Sequence, residues 1–132
     1  MALETDISSE AKKILIVEDD DIQRIILERL IGHMGHTVIG SSSEGSKAIE
    51  SALRIGAVDL ILMDINLADD VDGIEAAEEI NKYRDVKLIF ITSTNDPEKL
   101  ERAKSTGCVA LLKKPLSKKM LEDTFLKAFP AG

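Results

Sequence analysis

Five short stretches, each the length of a β-strand and most of them apolar runs, recur along the chain with helix-like stripes between them. The runs are Lys13–Val17, Leu60–Met63 within the stretch Val58–Asn66, Lys87–Ile91 and Cys108–Leu112, and His36–Gly40 reads as a further strand, second in chain order. Runs that are apolar throughout, without strand-type alternation, belong to strands buried on both faces. Between them the apolar residues return at helical spacing: Ile22, Ile25, Ile26 and Leu30, then Ala48, Ile49, Ala52 and Leu53, then Ile74, Ala77 and Ile80. Leu100 and Ala103 make a thinner stripe, and Met120, Leu121, Thr124, Phe125 and Ala128 a final one. Each is read as the core-facing side of a helix. Strict alternation of strand and helix predicts an α/β fold, a parallel sheet covered on both faces and joined by right-handed crossovers.

Punctuation residues agree with this partition. Asp20 or Asp21 is placed to cap the first helix, and Gly32 and Gly35 to end it. Ser41–Ser43 reads as a loop that caps the second helix, which Gly56 stops. Asp96-Pro97 is a cap followed by proline at the first helical position. The fourth helix, with the thinnest stripe, is expected to be the most mobile. Residues 1–12 read as a disordered lead-in, 13–129 as one domain, and 130–132 as a tail. At 132 residues the chain is long enough for one cored domain and too short for two.

Composition narrows the function classes. Hydrophobic residues make up 44% and charged residues 31%, and no apolar run approaches membrane-spanning length, so a cytoplasmic location and no membrane contact are expected. The net charge of −7 argues against nucleic-acid binding by this domain. Tyr83, Phe90, Phe125 and Phe129 are too few and too scattered for base-stacking platforms. The single cysteine, Cys108, cannot form an internal disulfide and reads as a small core hydrophobe.

In such a fold the carboxyl ends of the strands gather along one edge, where sites assemble. The residues delivered there are Glu18 and Asp19, Asp64, Thr92, and Lys114. A carboxylate at the end of a fully buried strand is costly unless it has partners or a task. A hard cation such as Mg²⁺, or Mn²⁺, takes oxygen ligands, which Asp19, Asp64 and the backbone carbonyl of Asn66 can supply. Crowded carboxylates repel one another, and a cation offsets that repulsion. A carboxylate attacking phosphorus forms an acyl phosphate. Alignment and charge neutralisation then suffice, with the Lys114 ammonium and the Thr92 hydroxyl each taking a phosphoryl oxygen beside the cation.

At these residues the sequence resembles the receiver domain of two-component response regulators, over about Lys13 to Phe129. The resemblance implies a flavodoxin-like (βα)₅ sheet with strand order 2-1-3-4-5. I-L-I-V-E-D-D corresponds to the family's acidic pair and places Glu18 and Asp19 in the metal pocket. L-M-D-I-N makes Asp64 the phospho-acceptor and Asn66 the carbonyl ligand. I-T-S makes Thr92 the switch hydroxyl. K-P makes Lys114 the phosphate-binding lysine, followed by Pro115 after a bond that is usually cis in this family. Many members carry Tyr or Phe two residues into the last strand, as a ring that moves with the threonine. Here that position is Leu111, an aliphatic residue that repacks instead or leaves output to other surfaces.

The expected function is therefore phosphoryl acceptance on Asp64 from a histidine kinase or a histidine phosphotransfer protein, with switching of the fourth-helix, fifth-strand and last-helix face toward a downstream output domain or protein. The domain is expected not to be an enzyme in its own right, and to be a monomer or weak dimer. Asn66 and Thr94 are expected to flank the path of hydrolytic water. A non-phosphorylated binding scaffold is the alternative, and it has no use for the acidic, Thr and Lys set. An aspartate-nucleophile phosphatase of the haloacid-dehalogenase type requires an acid/base Asp where Asn66 stands. A flavin or nucleotide carrier would need a glycine- or hydroxyl-rich loop after the first strand. His33 and His36 straddle a glycine turn without a third ligand, so no metal is expected there. Asp69, Asp70 and Asp72 read as a solvated acidic turn, because a calcium loop needs a closing glutamate that they lack.

Overall fold

The structure is a computed structural model that describes residues 11–130. The expected lead-in falls mostly on residues 1–10, and the last two residues of the expected tail also lie outside the described residues. Five strands and five helices alternate: β1 Lys13–Val17, α1 Asp21–His33, β2 Thr37–Ser42, α2 Gly45–Arg54, β3 Leu60–Asp64, α3 Gly73–Asn81, β4 Lys87–Thr92, α4 Pro97–Ser105, β5 Ala110–Lys113 and α5 Lys118–Ala128. All strand pairs are parallel, in the order β2-β1-β3-β4-β5. Among the described residues no helix is long and apolar enough to cross a membrane.

Pleating sends the unbroken apolar runs to two cores. Ile14, Ile16, Leu60, Leu62, Ile89 and Ile91 face α1 and α5, while Leu15, Val17, Ile61, Met63, Leu88 and Phe90 face α2, α3 and α4. Both sheet faces are therefore covered, which is why the strands show no polar alternation. Each fully buried side chain of this size stabilises by about 1.5–3 kcal/mol. An exposed pair such as Lys119–Asp123, at 3.4 Å, belongs to a class worth about 0–1 kcal/mol. Burial in the two cores holds the fold.

Several local expectations are corrected. The stripe Ile22, Ile25, Ile26 and Leu30 is not the core face of α1: Ile22, Ile25 and Ile26 are 72%, 45% and 51% exposed. Leu27 and Ile31 are buried instead, with Leu30 and Met34 packed beside them. Residues 27, 30, 31 and 34 satisfy helical spacing as well as 22, 25, 26 and 30 do. The sheet, which meets α1 on one side only, decides between them. The helix continues through Gly32, and the turn is made by Gly35, whose φ of +86° suits glycine. Ser41 and Ser42 belong to β2 rather than to a capping loop. Leu53, on the expected stripe of α2, is exposed. The final strand starts at Ala110, later than expected, and Cys108 is half-buried with a free thiol. Asp96 caps α4 with Pro97 behind it, and Ala103 is that helix's one buried residue.

Candidate functional site

Glu18 follows β1 directly, Asp64 and Thr92 end β3 and β4, and Lys114 follows β5, so four neighbouring strands deliver their ends to one edge. Glu18 and Thr92 are fully buried and Asp64 is 4% exposed. Burial of charged groups at a strand end requires compensation. Lys114 provides it by reaching across β4, with its Nζ donating to Glu18 Oε1 at 2.9 Å and to Asp64 Oδ2 at 2.8 Å. The other oxygens are held locally, as Asn66 N–H donates to Asp64 Oδ1 at 3.1 Å and Asp20 N–H to Glu18 Oε2 at 3.2 Å.

The carboxylates are nonetheless short of positive charge. Burial pushes the Glu18 carboxyl above the usual range, and the neighbouring Asp64 adds to that, against the pull of Lys114. Asp19, exposed at the mouth of the cluster, is raised too, by the partial loss of water around its carboxyl and then by Glu18. Burial alone would lower the Lys114 ammonium, but the Asp64 and Glu18 carboxylates outweigh it and hold its pKa up. Ligand oxygens of Glu18, Asp19 and Asp64 all lie within 4.8 Å of one another. An all-oxygen, electron-rich donor set of this kind fits a hard divalent cation. It is the one group of metal-ligating side chains found among the described residues. His36 takes no part in it: it precedes β2, at the opposite end of the parallel sheet, where its Nδ1 accepts from the Lys12 amide at 3.0 Å.

The other expected site residues fall around this cluster. The Thr92 Oγ1 accepts from Thr94 N–H at 3.0 Å, which leaves its own proton free to be donated. Asn66 is exposed at the rim, with Lys99 Nζ of α4 at 3.5 Å from its Oδ1. The Lys114–Pro115 bond is cis. Leu111 is partly buried against the core on the α2, α3 and α4 side, and with Leu100, Lys104, Cys108, Val109 and Lys113 it lines a cleft of about 470 Å³ between α4 and β5.

The loop from Asp64 to Gly73 carries residues that sequence reasoning missed. Gly73 lies so close to Asp64 that a Cβ there would stand 2.1 Å from the Asp64 carbonyl oxygen, and its N–H donates to the Ile65 carbonyl at 2.7 Å. Asp69 and Asp72 do not form a merely solvated turn. Asp72 caps α3 in a reciprocal box with Glu75, and Asp69 accepts from the first amides of α2. A signal was available for the second: Glu44, just before α2, is a poor capping type, so that helix needed its cap from elsewhere.

The chain matches the response regulator receiver domain family over residues 14–125. It is 32% identical over 106 residues to the transcriptional regulatory protein PdtaR of Mycobacterium tuberculosis, covering 80% of this chain and 51% of that protein. It thus spans about half the length of that curated relative. Among solved structures it resembles the signal receiver domain of a modulated diguanylate cyclase from Desulfovibrio desulfuricans G20, with TM-score 0.83, 30% identity and coverage of 90% and 94%. It also resembles the receiver domain of the sensor histidine kinase PA1611 from Pseudomonas aeruginosa PAO1, described with a magnesium ion coordinated in its active site cleft, with TM-score 0.78, 28% identity and coverage of 89% and 96%. With its sheet order, its strand-end cluster and its sequence in agreement, the chain belongs to the family of response regulator receiver domains of two-component signalling.

Proposed function

We propose that the chain accepts a phosphoryl group on the Asp64 carboxylate from a histidine kinase or histidine phosphotransfer protein, with Mg²⁺ or Mn²⁺ held by Glu18, Asp19, Asp64 and the Asn66 backbone carbonyl. The observation that carries this reading is Lys114 bound at once to the buried Asp64 and Glu18, beside the exposed Asp19, in a cluster short of positive charge. The magnesium reported for the PA1611 receiver supports the choice of cation. When bound, the cation supplies positive charge to a phosphoryl oxygen and relieves carboxylate repulsion. In the transfer, an Asp64 oxygen forms its bond to phosphorus as the bond to the donor's imidazole nitrogen breaks. The imidazole keeps that electron pair and takes up a proton. The Lys114 ammonium and the Thr92 hydroxyl neutralise the remaining phosphoryl oxygens. Thr92, Leu111 and Pro115 then relay occupancy to the α4–β5–α5 face, where a downstream output domain or protein reads it.

The exposed isoleucines of α1 supply a docking surface for the phosphodonor. Ile22, Ile25 and Ile26 stand at i, i+3 and i+4 on a helix that begins two residues after Asp19, so an apolar partner seated there lies beside Asp64.

Incubation with Mg²⁺ and acetyl phosphate tests the reading by mass. A phosphoryl increment that requires the cation and is absent in Asp64→Asn is the expected result. No increment on folded wild type, or one that persists in Asp64→Asn, overturns it.

A further inference from the structure

Helix α2 starts without a cap of its own, because Glu44 precedes it in extended conformation and makes no side-chain capping bond. Its first amides are instead taken by a residue 24 positions further along the chain. Gly45 N–H donates to Asp69 Oδ1 at 2.8 Å, Ser46 N–H to Asp69 Oδ2 at 3.1 Å, and the Ser46 hydroxyl to the same Oδ2 at 2.7 Å. A carboxylate at a helix start is also favoured by the helix dipole. These three bonds, led by that of the Ser46 hydroxyl, hold the Asp69 carboxyl below the usual range.

The contact is part of a larger seam. Ala68 N–H donates to the Ser43 carbonyl at 3.1 Å, and Gly45 packs so tightly that a Cβ there would stand 2.2 Å from the Val71 carbonyl oxygen. The loop is thus bolted to the β2–α2 corner at Ala68, Asp69 and Val71, and its far end is fixed by the Asp72 box and by Gly73 against Asp64. Asn66, whose carbonyl is assigned to the cation, lies in the same loop three residues before Asp69. Its backbone direction is set by whatever holds the loop.

We infer that Asp69 is a positioning residue for the acceptor site, clamping the Asn66–Asp72 loop onto the start of α2 so that the Asn66 carbonyl is pre-set for the divalent cation. This rests on the phospho-acceptor reading above. Linkage makes the effect reciprocal, so that cation binding tightens the Asp69 bonds to α2 and protects the Gly45 and Ser46 amides. Groups that orient ligands from behind cost about 10- to 100-fold in metal affinity when lost. Asp69 acts through the backbone, so the low end, about tenfold, applies.

The test is a Mg²⁺ titration of wild type, Asp69→Ala and Asp69→Asn followed by calorimetry and by amide exchange, with acetyl phosphate labelling at saturating Mg²⁺ alongside. Asp69→Ala is expected to bind Mg²⁺ about tenfold more weakly, to lose the Mg²⁺-dependent protection of Gly45 and Ser46, and to label near the wild-type rate once the cation saturates. Asp69→Asn, which keeps an acceptor oxygen, is expected to recover much of the affinity. Should the alanine variant fail to fold, wild type carries the test: Gly45 and Ser46 amides that gain protection on Mg²⁺ binding support the clamp, and amides whose exchange Mg²⁺ leaves unchanged overturn it. Affinity unchanged in folded Asp69→Ala, with protection lost only at the helix start, would show a helix cap and nothing more. Wild type that binds no Mg²⁺ and takes no phosphoryl group would overturn the parent reading, an outcome distinct from failure of Asp69 alone.

Discussion

His36 packs its ring on Phe125, with 5.1 Å between centroids, and accepts the Lys12 amide at Nδ1. An accepting nitrogen carries no proton, and burial, followed by the nearby Lys12 charge, holds the His36 pKa below its usual 6.5. The folded chain therefore binds this proton more weakly than the unfolded chain does. Its stability contribution is complete above pH 6.5, falls as pH drops through that value, and levels off below the folded-state pKa. Thermal unfolding across this interval should show a slope in wild type that is reduced in His36→Gln. Lys114 sets a second expectation at this scale. Lys114→Met removes a pre-placed cation from the acceptor, which should slow acetyl phosphate labelling by about 10²–10³-fold. Mg²⁺ binding, measured by calorimetry, should persist in that variant, because the carboxylate cluster becomes more negative. Loss of both together would place Lys114 in a structural role instead.

At the scale of elements, two glycines separate close packing from open space. Gly73 begins α3 against the Asp64 carbonyl, and an added methyl must displace backbone. Overpacking costs typically about 1–3 kcal/mol, and the upper end is expected for Gly73→Ala in urea denaturation, together with lost labelling of the displaced Asp64. Gly32 lies within α1 and a Cβ there meets nothing within 4 Å. Gly32→Ala should accordingly stabilise by about 0.5–1 kcal/mol in the same assay. The helices also show where local sequence is ambiguous. In α1 two stripes have equal claim to helical spacing, and burial chose Leu27 and Ile31. In α4 the thin stripe was unambiguous, and Ala103 is the residue it buries.

For the whole molecule, the exposed face of α1 would, on the proposed function, make docking of the phosphodonor separable from the acceptor chemistry. Ile26→Lys places a charge in an apolar patch away from the cores. Transfer from a phosphorylated histidine phosphotransfer protein should fall by about tenfold, as loss of an interface anchor worth more than about 1 kcal/mol requires. Labelling by acetyl phosphate should remain at the wild-type level. Equal loss with both donors would mean that the substitution disturbs the site rather than the docking surface. The half-buried Leu111, in place of an aromatic residue, bears on the opposite end of signalling. Its cleft between α4 and β5 lies on the face proposed for output.

Much of this molecule is written in one dimension. Apolar runs of strand length alternating with helical stripes determine the layers, because a strand buried on both faces carries its polar residues at its ends. The strand-end residues Glu18, Asp19, Asp64, Thr92 and Lys114 were legible by the same reasoning, since the ends of parallel strands share an edge whatever the details of packing. The strand order came through resemblance to a family, and pairing in three dimensions is what realises it. Only the tertiary structure decided which stripe of α1 is buried, because helical spacing offered two faces and the sheet covers one. Only it joined Asp69 to α2 and Gly73 to Asp64, because hydrogen bonds and close approaches between segments far apart in sequence leave no periodic trace in either segment.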